Sequence, residues 1–145
     1  MKIYVASSWR NDEQPKVVAA LRRENLEVYD FKNPANGPFH WSDIDPDWEK
    51  WDAVAFARKL DHPRAVAGYM QDFNAIMACD ACLLVMPCGR SSHLELGLAC
   101  GLRKGTAILL SGGEPELMYR MADELLLSLG QAVHWACRLR NREAP

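Results

Sequence analysis

Ala81-Cys82-Leu83-Leu84-Val85-Met86 runs into Pro87-Cys88-Gly89-Arg90-Ser91-Ser92 and then into His93-Leu94-Glu95-Leu96-Gly97-Leu98-Ala99, and this stretch decides the fold. Six successive apolar residues without polar alternation fit a strand covered on both faces. A short polar segment ends it, and from His93 to about Arg103 the pattern is helical. Strand, loop and helix form half of a parallel crossover unit, since a parallel neighbour needs a connection that carries the chain back along the sheet.

The same alternation extends in both directions. Lys2 to Ser7 is a short apolar strand, and Gln14 to Asn25 spaces Val17, Val18 and Leu21 as one helix face. Leu26 to Phe31 alternates as a second strand and opens into Asn33-Pro34-Ala35-Asn36-Gly37-Pro38-Phe39-His40-Trp41, a long loop dense in turn formers and aromatics. Asp47 to Cys79 predicts two helices broken at His62-Pro63, because proline disfavours helix at the residue before it. Thr106 to Leu110 is a further strand, Glu116 to Leu129 reads as an amphipathic helix, and Ala132 to Cys137 as a last strand, with a loosely held tail over Arg138 to Pro145. The expected architecture is α/β: one doubly wound, flavodoxin-like (Rossmann-like) domain over residues 1–145, with a parallel five-stranded sheet in the order 2-1-3-4-5. Gly97 and Gly101, four apart on one face, are expected to let their helix pack closely on that sheet.

Bulk composition narrows the function classes. At 145 residues and 49% hydrophobic, one compact core is affordable without cross-links. A net charge of -2 from interspersed acids and bases leaves no basic stripe for a nucleic-acid polymer. Five cysteines, with Cys82 and Cys100 in apolar stretches, suit reduced thiols. The N-terminal run is too short for a leader and no stretch approaches bilayer length, so a cytoplasmic, membrane-free protein is expected.

In a parallel sheet ligands sit beyond the carboxyl ends of the strands, where the loops after the first, second and third strands gather. Glu95 lies there. Ser92-x-x-Glu95 also matches a helix capping box, which accounts for both residues without chemistry. Asp72 brings a second carboxylate towards the same edge; it fits either a solvated helix acid or a partner to Glu95. Two such carboxylates roughly 5–5.5 Å apart suit displacement at an anomeric carbon, one attacking and one assisting the leaving group. Ser7, Ser8 and Arg10 follow the first strand, and Gly89, Arg90, Ser91 and Ser92 follow the third. These two loops suit an anion such as a 5′-phosphate, although helix capping accounts for the serines equally well. Phe39, His40, Trp41, Trp48 and Trp51 suit either stacking on a flat base or the core of their own loop. Asp43, Asp45 and Asp47 have the opening spacing of a calcium loop, but Trp48 replaces its glycine and Val54 its last acid. Cys79-x-x-Cys82 has no second pair, and the serines beside His93 lack a nucleophile elbow. Neither a calcium loop nor a zinc site is expected at these motifs.

The opening Met1-Lys2-Ile3-Tyr4-Val5-Ala6-Ser7-Ser8, Asp72 ahead of an apolar strand, and Ser92-x-x-Glu95-Leu96-Gly97-x-Ala99 together resemble the nucleoside 2-deoxyribosyltransferase family, which includes the related nucleoside 5′-monophosphate N-glycosidases. The resemblance covers most of the chain and implies a flavodoxin-like fold without a cofactor. It further implies that Glu95 is the nucleophile, Asp72 the acid that helps the base depart, and Tyr4 the tyrosine that orients the nucleophile. Ser8 and Arg10 resemble the phosphate-gripping loop of the monophosphate hydrolases. The transferases generally carry an aspartate six residues before the nucleophile, where this chain has Gly89 beside Arg90. Pro115 to Asp123 resembles the segment a neighbouring subunit lends to the site, which implies a homodimer or larger homo-oligomer with Glu116 and Met118 as second-subunit contacts. The expected ligand is a small nucleoside or nucleotide. A non-catalytic nucleotide-binding or sensing module of the same fold is the competing reading.

Overall fold

A computed structural model describes residues 1–143. Five strands, β1 (Lys2–Ala6), β2 (Glu27–Asp30), β3 (Ala81–Val85), β4 (Gly105–Leu109) and β5 (Glu124–Leu126), form one parallel sheet in the order β2-β1-β3-β4-β5. Helices α1 (Glu13–Arg23) and α5 (Leu129–Glu143) cover one face, and α3 (Pro63–Ala78) and α4 (Arg90–Gly101) the other. The short α2 (Ala53–Leu60) sits ahead of α3. Proline at the first position of α3 explains the break from α2, since its missing N–H has no helical acceptor to serve there. No helix among the described residues is long and apolar enough to cross a membrane.

Strand alternation divides the core in two. Ile3 and Val5 point to the α1/α5 side with Leu83, Val85, Leu109 and the fully buried Trp135. Tyr4 and Ala6 point to the α3/α4 side, where the small Ala75, Cys79, Cys82 and Ala99 are interspersed with Ile76, Leu84, Leu96 and Ile108. That leaves room beneath α3 and α4 for polar side chains.

Four local expectations are overturned. The helix expected over Glu116 to Leu129 is a 3₁₀ turn at Leu117–Met121 followed by β5. Asp123 fixes this register, its carboxylate accepting from both the backbone N–H and the hydroxyl of Thr106, at 2.8 and 2.9 Å. The strand expected over Ala132 to Cys137 lies inside α5, with Ala132, Trp135 and Ala136 forming the helical face that meets the sheet. Of the tail, Arg138–Glu143 belongs to α5, with Arg138 paired to Glu124 and Arg140 bonded to the Glu24 carbonyl; residues 144 and 145 lie outside the described residues. Finally, α4 begins at Arg90 rather than His93, and Gly97 and Gly101 face open space because Ser92, Leu96 and Ala99 form its sheet-facing side. At about 100° per residue the two glycines fall on the opposite side of the helix.

Candidate active site

Parallel register sets Tyr29 of β2, Tyr4 of β1 and Cys82 of β3 side by side on the α3/α4 face. The rings of Tyr4 and Tyr29 stack 5.1 Å apart, 17° from parallel. Above them lie the two acids, Asp72 from α3 and Glu95 from α4. The Tyr29 hydroxyl donates to Asp72 Oδ1 at 2.7 Å. Asp72 is thus a half-buried, partnered carboxyl rather than a solvated one.

Burial, more than any neighbour, raises the Asp72 carboxyl above its ordinary range, and the Tyr29 hydrogen bond offsets only part of the rise. Glu95 is pushed up to about 7, first by burial and then by the negative charge of Asp72, with the Tyr4 hydroxyl pulling the other way. Tyr4 itself is held far above the ordinary phenol range by burial and by the charges of Glu95 and Asp72. Its hydroxyl is buried without a hydrogen bond of standard geometry, so its influence on Glu95 is that of a nearby dipole and not of a closed bond. The site therefore holds two acids and two phenols in one largely buried cluster, with Glu95 titrating near neutrality.

The capping-box reading of Ser92 and Glu95 does not hold. Gly89 is the N-cap of α4, and the buried Ser92 hydroxyl donates across to the carbonyl of Ser7 at 2.7 Å. Ser7 is also buried and its hydroxyl is committed within the chain, donating to the Val85 carbonyl at 2.8 Å and accepting from Asn11 Nδ2 at 2.9 Å. Asn11 further bonds the carbonyls of Val85 and Pro87, while Lys32 Nζ donates to the Asn11 carbonyl at 2.8 Å. Ser7 and Ser92 thus join the loops after β1 and β3, with Lys32 adding the loop after β2 through Asn11, instead of facing a ligand with their hydroxyls. Ser8, Arg10, Gly89, Arg90 and Ser91 remain at the rim. The ion pairs among the described residues involve Lys2, Lys16, Lys50, Arg64 and Arg138, which leaves the exposed Arg10 and Arg90 without an acid partner. The first turn of α4 has no side-chain cap, so its backbone donors point to the same rim.

The aromatic loop largely packs on itself. Trp41 stands edge-on to Phe39, Trp51 and Phe56 at 4.8, 5.7 and 5.9 Å, and a Cβ on Gly68 would lie 2.9 Å from Phe39 Cβ. Arg64 ties the loop down through Asp43 at 2.9 Å, and Asp45 accepts from the Trp51 indole, so the aspartates of the calcium-like spacing are spent within the loop. His40 packs against Trp9, at the rim with Arg10. In the 115–123 segment Glu116 caps the 3₁₀ turn through the Met118 N–H, and Met118 is exposed.

Several contributors escaped the sequence reading. Tyr29 was recoverable: strand alternation and parallel register place it beside Tyr4. His93 and Tyr119 were not, because their contact joins residues far apart in the chain. His93 Nδ1 donates to the Gly89 carbonyl at 2.9 Å, which leaves Nε2 to accept from the Tyr119 hydroxyl at 3.0 Å. Cys88 lies 3.6 Å from the same ring, its thiol raised to about 11 by burial and by Glu95. Among the described residues no group of three or more His, Cys, Asp or Glu side chains is placed to hold a metal ion.

Solved structures that share this fold include two enzymes. A 2-deoxyribosyltransferase from Bacillus psychrosaccharolyticus is 20% identical, with a TM-score of 0.62 over 92% of this chain and 90% of that one. A CMP N-glycosidase from Clostridium botulinum is 14% identical, with a TM-score of 0.53 over 97% and 99%. No protein-family model and no curated protein matches the sequence.

Proposed function

We propose that this chain is an enzyme that cleaves the N-glycosidic bond of a nucleoside or nucleoside 5′-monophosphate, with Glu95 as nucleophile. The observation that supports it is the Glu95 carboxyl held near pKa 7 beside Asp72 and Tyr4 on the α3/α4 face of the sheet, in a fold shared with a deoxyribosyltransferase and a CMP N-glycosidase. The negative charge of Asp72 disfavours ionisation of Glu95, so Glu95 gives up its proton near neutrality. Ionised Glu95 attacks C1′, the C1′–N bond breaks, and its electron pair leaves with the base. The base takes a proton from the Asp72 carboxyl, directly or through water. The glycosyl ester of Glu95 is then resolved by water, giving hydrolysis, or by a second base, giving transfer. Tyr4 orients Glu95, and Tyr29 orients Asp72.

Arg10 and Arg90, with Ser8, Ser91 and the open backbone at Gly89, form the proposed 5′-phosphate grip, which favours a nucleotide over a free nucleoside. Ser7 and Ser92 shape that grip from behind. Phe39 and Trp41 belong to the wall on the base side. Glu116 and Met118 are proposed to meet a neighbouring subunit of a homo-oligomer. Unpaired cysteines at all five positions fit a cytoplasmic protein.

The test is a chromatographic screen for free base over nucleosides and 5′-monophosphates, ribo and deoxy, each with and without a second base. Base released without an acceptor identifies a hydrolase, and exchange only with an acceptor identifies a transferase. Silence across the panel replaces the enzyme with a binding module.

A further inference from the structure

We propose that the cleft between the end of α4 and the C-terminal half of α5 is a second anion site, built for a small phosphomonoester. It lies at the amino ends of β4 and β5, the opposite end of the parallel strands from the loops that carry Arg10 and Arg90, and it rests on no part of the Glu95 reading.

The cleft has a volume of about 420 Å³, within the range of small-molecule sites. Trp135, Leu139 and Met121 give it an apolar wall, and its charged lining is Arg103, Lys104, Arg142, Asp123 and Glu124. Most of these charges are already committed. One oxygen of Asp123 accepts twice from Thr106, and Glu124 pairs with Arg138. Lys104 Nζ donates to the carbonyls of Met77 and Cys79 and so closes the end of α3. The ion pairs among the described residues leave Arg103 and Arg142 without an acid. What the cleft offers a ligand is therefore two guanidiniums beside an apolar wall.

Two further observations point to an anion there. Arg103 follows Leu102, the C-cap of α4, with φ at 56°, in the left-handed region where glycine or asparagine is usual. The same position after α1 is Asn25, at φ 59°. Strain of this kind persists where the group it places is used. A basic residue that merely complements the helix dipole serves as well one turn earlier, in an unstrained conformation. Secondly, Arg138 stands on the same face of α5 as Trp135 and Arg142, and its buried Nε has no hydrogen-bond partner, although its other end pairs with Glu124. A buried N–H without an acceptor is costly, and a phosphate oxygen answers it. A phosphomonoester, with a charge of about -2 and three strong acceptor oxygens, matches two guanidinium forks and a spare N–H. Its organic part lies against the Trp135 wall.

Proton–nitrogen correlation spectra of the whole chain, covering backbone amides and arginine Nε–H groups, test this. The probe is p-nitrophenyl phosphate at about 0.15 M salt, where loose surface attraction is screened. The Thr106 amide and the Arg138 Nε–H are expected to shift and saturate, equally in the unmodified protein and in Arg10→Ala. Arg103→Gly and Arg142→Ala are each expected to weaken that binding at least about tenfold. Arg103→Gly gives the backbone the residue it prefers there, so its circular dichroism is expected to be unchanged. Signals that stay still up to about 10 mM probe, tenfold above a millimolar Kd, overturn the proposal. So do shifts that either substitution leaves undiminished. Saturation that disappears in Arg10→Ala overturns it too, because the probe is then bound by the 5′-phosphate grip at the other end of the sheet. Because the shifts are read without turnover, a silent cleft in a protein that releases base contradicts only this site, and a saturating cleft without base release contradicts only the proposed activity.

Discussion

The two helical layers on this sheet are built with opposite polarity. Beneath α1 and α5 the core is large and mainly apolar, with Trp135, Leu21 and Val17 fully packed; its buried polar pair, Gln14 and Asp30, is joined by a hydrogen bond at 2.8 Å, and most charges stand outside. Beneath α3 and α4 Ile76, Leu84, Leu96 and Ile108 share the core with small residues, two acids and two tyrosines lie beside them, and further apolar groups stand on the outside. A fold needs only the first arrangement. Burying Asp72 and Glu95 costs stability, as their raised pKa values record, and that cost is expected where the groups are used for chemistry. The difference separates the half of the molecule that holds it together from the half that carries the proposed site.

The comparison breaks most visibly under truncation. Trp135→Ala should destabilise by about 3–5 kcal/mol in urea unfolding, because it empties a fully buried site. Met77→Ala, on the outer face of the other layer, should fall within about 0.5 kcal/mol at concentrations where the chain is monomeric. Comparable losses at the two positions would remove the distinction.

Glu95→Gln sharpens it in the other direction. With a folded pKa of about 7 against an ordinary 4.5, the native protein retains a proton between those values that the unfolded chain has released. The unmodified protein therefore loses stability as pH rises from about 4.5 to 7, and the loss is complete above 7. Glutamine never ionises, so Glu95→Gln should match it near pH 4 and exceed it by about 2–4 kcal/mol at pH 8. A difference independent of pH would mean that Glu95 is not a buried acid.

The smallest expected effect is at Tyr29. Tyr29→Phe removes the hydrogen bond to Asp72 at a cost of about 1 kcal/mol. Because that bond lowers the Asp72 pKa, its loss should raise it further, and the alkaline limb of the pH–rate profile should move to higher pH if Asp72 protonates the base. An unmoved limb would take Asp72 out of the acid role.

Much of this arrangement was readable in the sequence where one pattern had one meaning. The unbroken run at Ala81–Val85, the apolar run of β1 and the alternation in β2 led to the parallel sheet and its order, whereas Tyr29, on the face it shares with Tyr4, was passed over. The C-terminal third was misread because its apolar residues answer to two requirements at once. Leu117, Met118, Met121, Leu125 and Leu127 are apolar but exposed, so their spacing imitates an amphipathic helix, whereas Leu126 and the Asp123–Thr106 contact place a strand there. Ser92 was misread because its partner, the Ser7 carbonyl, is a tertiary neighbour that no local spacing reveals. The glycines of α4 were placed on the wrong side for a related reason: with its outer face apolar, that helix has no polar stripe to mark which side meets the sheet.

The most direct test of the account is single-turnover base release at pH 8 by the unmodified protein and by Glu95→Gln, both shown by circular dichroism to be folded, on whichever substrate the screen identifies. The nucleophile role predicts a rate at least about 10³-fold lower for Glu95→Gln. Release within roughly tenfold of the unmodified rate, a barrier change of only about 1.4 kcal/mol, would contradict it.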